Sequence, residues 1–96
     1  MREREIERRL VTAVKESGGM CPKFVSPGFV GMPDRIVLMP NGKVCFIELK
    51  STGKVSRALQ LKRHEQLREL GFQVFVVDDA KQIKPLLVAM KGGDAK

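Results

Sequence analysis

The chain has 96 residues, a length that fits one domain with a small hydrophobic core. It is strongly basic, because 18 Lys and Arg outnumber 11 Asp and Glu and leave a net charge of +7. This balance indicates a polyanionic partner such as nucleic acid, although charge alone can also serve solubility. There is no Trp or Tyr, so contacts of Lys and Arg with phosphates are expected rather than base stacking on an aromatic platform.

Several classes of protein are excluded. No apolar stretch reaches the roughly 18 residues of a membrane span, and the charged N-terminus does not resemble a secretion signal. The expected location is therefore the cytoplasm of a bacterium or a phage-infected host. Cys21 and Cys45 lack the spacing of a zinc site and are predicted to be small core residues. No organic cofactor is expected.

An amphipathic helix is predicted from Arg2 to about Ser17, ended by Gly18-Gly19. Its apolar positions recur at spacings of three and four: Ile6, Leu10, Ala13 and Val14. A short strand is predicted over 20–25, followed by a loop with two glycines. In that loop, Phe29-Val30 could pack on a partner subunit or wedge into a branched substrate, and the sequence does not decide between these interpretations.

A β-hairpin is predicted next, with strands over 35–39 and 43–50. Asn41-Gly42 between two apolar runs is a strong signal for a type I′ turn. Ser56 is a plausible N-cap for a helix running to Leu70, which Gly71 ends. The dense β-branched and aromatic run over 72–77 predicts a buried strand.

A last helix is predicted from a cap at Asp78-Asp79 to Met90, interrupted near Pro85. Residues 91–96 are expected to form a flexible tail after a single domain over 1–90. The predicted order is α-β-β-β-α-β-α. The predicted fold class is α/β, with a mixed central sheet flanked by helices.

Two carboxylates and a lysine are expected to meet in the hairpin. Glu48 interrupts an apolar run, and an ionised carboxylate there costs several kcal/mol unless it is compensated. Folding about the turn places Asp34 across from Glu48, and strand alternation places Lys50 on the same face as Glu48. A divalent cation shared by the two carboxylates would offset the cost, so we predict a metal site.

Pro33-Asp34, then thirteen residues, then Glu48-Leu49-Lys50 resembles the PD-(D/E)XK nuclease superfamily. With Gly31, Gln60 and Gly71 the pattern is similar to its VRR-NUC branch, the virus-type replication-repair nucleases. The resemblance covers about residues 3–77 and implies a restriction-endonuclease-like core.

The resemblance also implies a catalytic set and a cofactor. Asp34 and Glu48, with the Leu49 carbonyl and waters, would bind Mg²⁺ or Mn²⁺, and Lys50 would orient the attacking water. In similar nucleases a Glu of the first helix joins the metal, and a Gln at the position of Gln60 borders the site. We prefer Glu7, which lies beside the apolar stripe, with Glu3 as the alternative.

Five residues are expected to contact DNA: Gly31, Lys54, Arg57, Lys62 and Arg63. Gly31 would let the backbone approach a phosphate, and the cations would bind others. Free-standing proteins of this branch resemble Holliday junction resolvases, which implies a homodimer acting on branched DNA. A two-fold dimer would supply the two symmetric incisions that a four-way junction needs. A flap nuclease and a non-catalytic nucleic-acid-binding module are the alternatives.

Overall fold

The structure, a computed structural model, describes residues 1–92. Its helices and strands are α1 (Glu3–Glu16), β1 (Arg35–Met39), β2 (Lys43–Leu49), α2 (Ala58–Glu69), β3 (Gln73–Val77) and α3 (Ile83–Gly92). A single-turn 3-10 helix lies at Ala80–Gln82, and Pro40–Gly42 forms the turn that connects β1 to β2. None of the helices in this part of the chain is long and apolar enough to cross a membrane.

The three strands form one mixed sheet in the order β1-β2-β3. Strands β1 and β2 pair antiparallel with Arg35 opposite Ile47, and β2 and β3 pair parallel. In the connecting turn Asn41 has φ 68° and Gly42 has φ 74°. Positive φ at both central residues is what a type I′ turn requires. The predicted α/β class with a mixed sheet is confirmed.

Strand β2 is buried on both faces and separates two hydrophobic clusters, because successive side chains point to opposite sides of a sheet. Cys45, Ile47 and Leu49 face α1 and α3, whereas Phe46 faces α2. The larger cluster contains Ile6, Leu10, Val14, Val37, Met39, Cys45, Ile47, Leu49, Val77, Ile83, Leu86, Leu87 and Met90. The smaller one contains Phe46, Leu67 and Val74. Glu48 points to the face of α2.

The predicted strand over 20–25 is not a regular strand. It is reduced to two isolated bridges beside β1, Met20 to Leu38 and Lys23 to Arg35. Pro22 lies between them and has no N–H to donate, although its carbonyl accepts a hydrogen bond from the Ile36 N–H at 3.1 Å. The order in the described residues is therefore α-β-β-α-β-α, with one strand fewer than predicted.

The helix ends differ from prediction in two places. Helix α2 begins at Ala58 with Arg57 as its N-cap, so the predicted Ser56 cap is wrong. Within residues 1–92 the buried Ser56 hydroxyl has no hydrogen-bond partner. Pro85 does not interrupt the last helix. It lies in the first turn of α3, where a missing N–H costs no intrahelical bond.

The C-terminal end of α2 follows the prediction. Gly71 has φ 98°, and the N–H groups of Gly71 and Phe72 donate to the carbonyls of Arg68 and Leu67. These two hydrogen bonds form a Schellman motif, which needs a residue with positive φ at the position of Gly71. Helix α3 continues through Gly92 into the predicted tail, and residues 93–96 lie outside the described part of the chain.

Candidate active site

Asp34 and Glu48 lie at the same end of the hairpin, on neighbouring strands. The Asp34 N–H donates to the Ile47 carbonyl at 3.0 Å, which continues the β1–β2 ladder by one residue beyond Arg35. In this register Asp34 stands opposite Glu48, and side chains that face each other across a ladder share one face. One Asp34 oxygen, Oδ2, accepts the Leu49 N–H at 2.8 Å. The backbone therefore fixes the Asp34 side chain beside Glu48.

The Glu48 carboxyl group is in an environment that disfavours its charge. It is 1% exposed, and burial raises its pKa to about 8, helped by the negative charge of Asp34 and a hydrogen bond between the two side chains. The Lys50 ammonium group acts in the opposite direction, with Nζ 3.7 Å from Glu48 Oε2. Burial beside Asp34 therefore keeps Glu48 protonated at neutral pH until a bound cation or a higher pH removes the proton.

Gln60 connects α2 to this carboxylate pair. Its Nε2 donates to Glu48 Oε2 at 3.0 Å, and its Oε1 accepts from Lys50 Nζ at 3.0 Å. The same oxygen accepts the Arg57 N–H at 2.8 Å, one of the N–H groups that a helix start leaves without an intrahelical partner. One amide therefore orients Glu48, holds Lys50 and caps α2.

His64 is a neighbour of the site to which the sequence interpretation gave no role. It is 1% exposed, and its Nε2 lies 3.5 Å from Glu48 Oε1. Its Nδ1 is buried and has no hydrogen-bond partner in the part of the chain that the structure describes. Burial, together with the charges of Arg68 and Lys50, lowers the pKa of His64. The available signal was its position one turn after Gln60 on the same face of α2.

The two glutamates of the first helix occupy different surroundings. Glu7 Oε2 accepts hydrogen bonds from the Arg35 guanidinium, at 2.9 Å from Nη2 and 3.0 Å from Nε. Arg35 thereby holds Glu7 on the α1 face of the sheet, opposite the face of Glu48. Glu3 is one turn nearer the start of α1, and its negative charge contributes to the raised pKa of Glu48. Glu3 is thus the α1 carboxylate whose charge reaches Glu48.

The predicted DNA-contacting residues fall into two groups. Lys54, Arg57 and Lys62 have exposed side chains. Arg63 is engaged within the protein, because its Nε donates to the Val30 carbonyl at 2.9 Å. Gly31 has φ 95°, and a Cβ there would lie 2.9 Å from the Leu59 side chain, so its glycine is explained by close packing on α2.

The donor set suits a hard divalent cation such as Mg²⁺ or Mn²⁺. No group of three or more His, Cys, Asp or Glu side chains that could hold a metal ion is found among residues 1–92. The side-chain donors available among these residues are therefore the Asp34 and Glu48 carboxylates. Mg²⁺ usually takes only one or two carboxylates and keeps several waters. A cation between these groups would also offset the burial and the repulsion from Asp34 that together raise the pKa of Glu48.

Comparison with known proteins gives two close similarities, although no family model matches the chain. It is 47% identical over 87 residues to "Putative nuclease p44" of Acyrthosiphon pisum secondary endosymbiont phage 1, across 88% of this chain and 94% of the relative. A solved structure described as a VRR_NUC domain superposes with a TM-score of 0.83 at 31% identity, across 88% of this chain and 92% of that one. The chain therefore belongs to the VRR_NUC family of nucleases.

Proposed function

We propose that this nuclease is a metal-dependent endonuclease that hydrolyses phosphodiester bonds in branched DNA. The observation that carries the proposal is the buried Glu48 beside Asp34 with the Lys50 ammonium 3.7 Å away. An arrangement of two carboxylates and a cationic side chain can hold a divalent cation, a water and a phosphate together. The net charge of +7 supports a polyanionic substrate.

Each side chain has a distinct part in this proposal. Asp34 and Glu48, with the Leu49 carbonyl, would hold Mg²⁺ or Mn²⁺, and the ion would supply an acidified water and stabilise charge on the phosphate. Lys50 would orient that water and neutralise negative charge. Gln60 keeps Lys50 and Glu48 in place through its two hydrogen bonds of 3.0 Å.

A first-helix glutamate would complete the metal shell through a bound water. Glu7, preferred from the sequence, is held by Arg35, so we now propose Glu3 for this part. Its side chain is exposed and makes no ion pair with any other residue of 1–92, so it can turn towards the cation without breaking one.

For the substrate, we propose a four-way DNA junction, cut by a homodimer. A single active site cuts one strand, and resolution of a junction needs two symmetric incisions, which a two-fold pair of sites supplies. The exposed Lys54, Arg57 and Lys62 would bind phosphates of the junction arms next to the site.

The test compares labelled four-way junction, flap and linear duplex in Mg²⁺, Mn²⁺ and chelator. We expect metal-dependent, paired nicks in the junction. Asp34→Asn should abolish cleavage while keeping junction binding, because the amide oxygen can still accept the Leu49 N–H. Glu65→Gln, an exposed change on α2, is the matched control and should cleave normally.

The alternatives predict other results. Faster cutting of flaps by a monomer would favour a flap nuclease over a junction resolvase. DNA binding that is unaffected by chelator, with no nicking of any substrate, would identify a non-catalytic binding module and refute the proposed hydrolysis.

A further inference from the structure

The loop that precedes Asp34 presents two apolar side chains to solvent and is nevertheless held in place. Phe29 is 48% exposed and Val30 is 70% exposed. The Arg63 guanidinium lies 3.8 Å from the centre of the Phe29 ring, and its Nε donates to the Val30 carbonyl at 2.9 Å. The exposed apolar tip is therefore fixed before any partner binds, which lowers the entropy that binding must remove.

Gly31 brings the same loop against helix α2. With φ 95° and only 2.9 Å between an added Cβ and Leu59 Cγ, the backbone lies so close to the helix that a side chain at this position would require a shift. The tip is near the active site along the chain, because Val30 precedes Asp34 by four residues, a span of at most about 14 Å.

The charges around the tip indicate what kind of partner fits it. Lys62 is exposed on α2 next to Arg63, the residue that holds the tip, and Glu69 lines the groove beside Phe29. Exposed apolar side chains mark a binding surface. The two cations beside the tip, Lys62 and Arg63, together with the net charge of +7 favour nucleic acid, since phosphates compensate these charges and base faces contact the apolar groups.

We propose that Phe29 and Val30 form a wedge that separates stacked bases at a branch point in DNA. This inference rests on the proposed function and adds how the protein distinguishes branched from linear DNA. Proteins that kink DNA insert side chains such as Phe, Leu and Ile between base steps. The bases on either side then lose stacking energy. Bases at a branch point are already less well stacked than those in a continuous duplex, so insertion there costs less. The wedge therefore selects the branch.

The test uses the fluorescent base 2-aminopurine placed at the branch of a four-way junction, with Asp34→Asn as background so that the DNA stays intact. We expect fluorescence to rise on binding, because the base leaves its stacked neighbours. Phe29→Ala should remove the rise and reduce the ratio of junction to linear-duplex affinity about tenfold, as expected for loss of one base–aromatic contact. Phe29→Leu keeps an apolar wedge and should retain most of the signal.

Val25→Ser is the matched control, because Val25 is 75% exposed in the same connecting segment and has no contact with Arg63 among the described hydrogen bonds and ring contacts. It should leave fluorescence and affinity ratio unchanged. Val30→Ser gives a second, independent variant and should weaken both.

Unchanged fluorescence and affinity ratio in both Phe29→Ala and Val30→Ser would overturn the wedge. So would a change in oligomeric state without any change in DNA binding, which would identify the tip as a contact between protein chains. A protein that does not bind the junction would overturn it too. Absence of nicking would refute only the proposed hydrolysis, since the fluorescence measurement needs binding alone.

Discussion

Replacing Glu48 with Gln should remove a pH dependence of stability that the protein is expected to show. Burial and the nearby charge of Asp34 raise the pKa of Glu48 from its ordinary value of 4.5 to about 8 in the folded protein. Between these values the folded chain holds a proton that the unfolded chain has released. The stabilisation of the folded protein by this proton is complete below pH 4.5 and is lost as the pH rises towards 8.

The change in the free energy of unfolding that Glu48 causes is measured most clearly above pH 6.5. Burial lowers the pKa of His64 from its ordinary value of 6.5, so above that pH His64 is mostly neutral in both the folded and unfolded chains. Each pH unit in which one proton separates the two states changes the free energy of unfolding by about 1.4 kcal/mol. Between pH 6.5 and 8, Glu48 should therefore lower the stability by about 2 kcal/mol.

Urea unfolding followed by far-ultraviolet circular dichroism measures this change, since the chain has no Trp or Tyr for fluorescence. Chelator is present throughout, because a bound cation would displace the proton. We expect the free energy of unfolding of Glu48→Gln to be nearly constant from pH 6.5 to 8. Glu65→Gln, which alters an exposed side chain, should keep the wild-type slope.

Parallel pH profiles for the wild-type protein and Glu48→Gln would refute the reasoning. They would mean that Glu48 has the same proton affinity in the folded and unfolded chains. The hydrogen bond and charge interaction with Asp34 would then not shape the site, and the case for a cation between them would lose its physical basis.

Three further predictions concern the surroundings of the site. Gly31→Ala should lower the free energy of unfolding by about 1–3 kcal/mol more than Gly28→Ala, because both glycines have positive φ but only Gly31 lies against α2; equal losses in urea unfolding would contradict this. Gln60→Ala should lower the free energy of unfolding by about 1–3 kcal/mol, since the buried Glu48 carboxyl group loses a hydrogen-bond donor, and it should slow cleavage in the same preparation. Full activity of this variant would contradict the proposed role of Gln60 in positioning Glu48 and Lys50. Lys62→Ala should reduce the slope of log affinity for DNA against log salt by about 0.9, whereas Lys84→Ala on α3 should not.

Local patterns in the sequence were sufficient for most of the fold. The spacing of Ile6, Leu10 and Val14 predicts the buried face of α1, and these three side chains are buried. Asn41-Gly42 predicts the turn, whose positive φ angles follow from residue type. The prediction of a strand over 20–25 was wrong, because it rested on apolar composition. Pro22 in this segment lacks the N–H that a continuous ladder needs.

The site divides in the same way. Alternation along β2 and a turn of known type bring Asp34, Glu48 and Lys50 to one face, since both depend on residues close in sequence. Gln60 lies 12 residues from Glu48, and its triple contact with Arg57, Lys50 and Glu48 depends on how α2 is rotated against the sheet. The burial of His64 against Glu48 has the same origin.

The sequence by itself determined the order of most elements, the hairpin and the facing pair of carboxylates, because short-range sterics and strand periodicity specify them. Only the tertiary structure decided that Arg35 holds Glu7, that the charge of Glu3 reaches Glu48, and that Arg63 fixes the Phe29 loop. These contacts join residues that are distant along the chain. Their formation depends on the rotation and placement of whole helices, which the packing of both hydrophobic clusters sets.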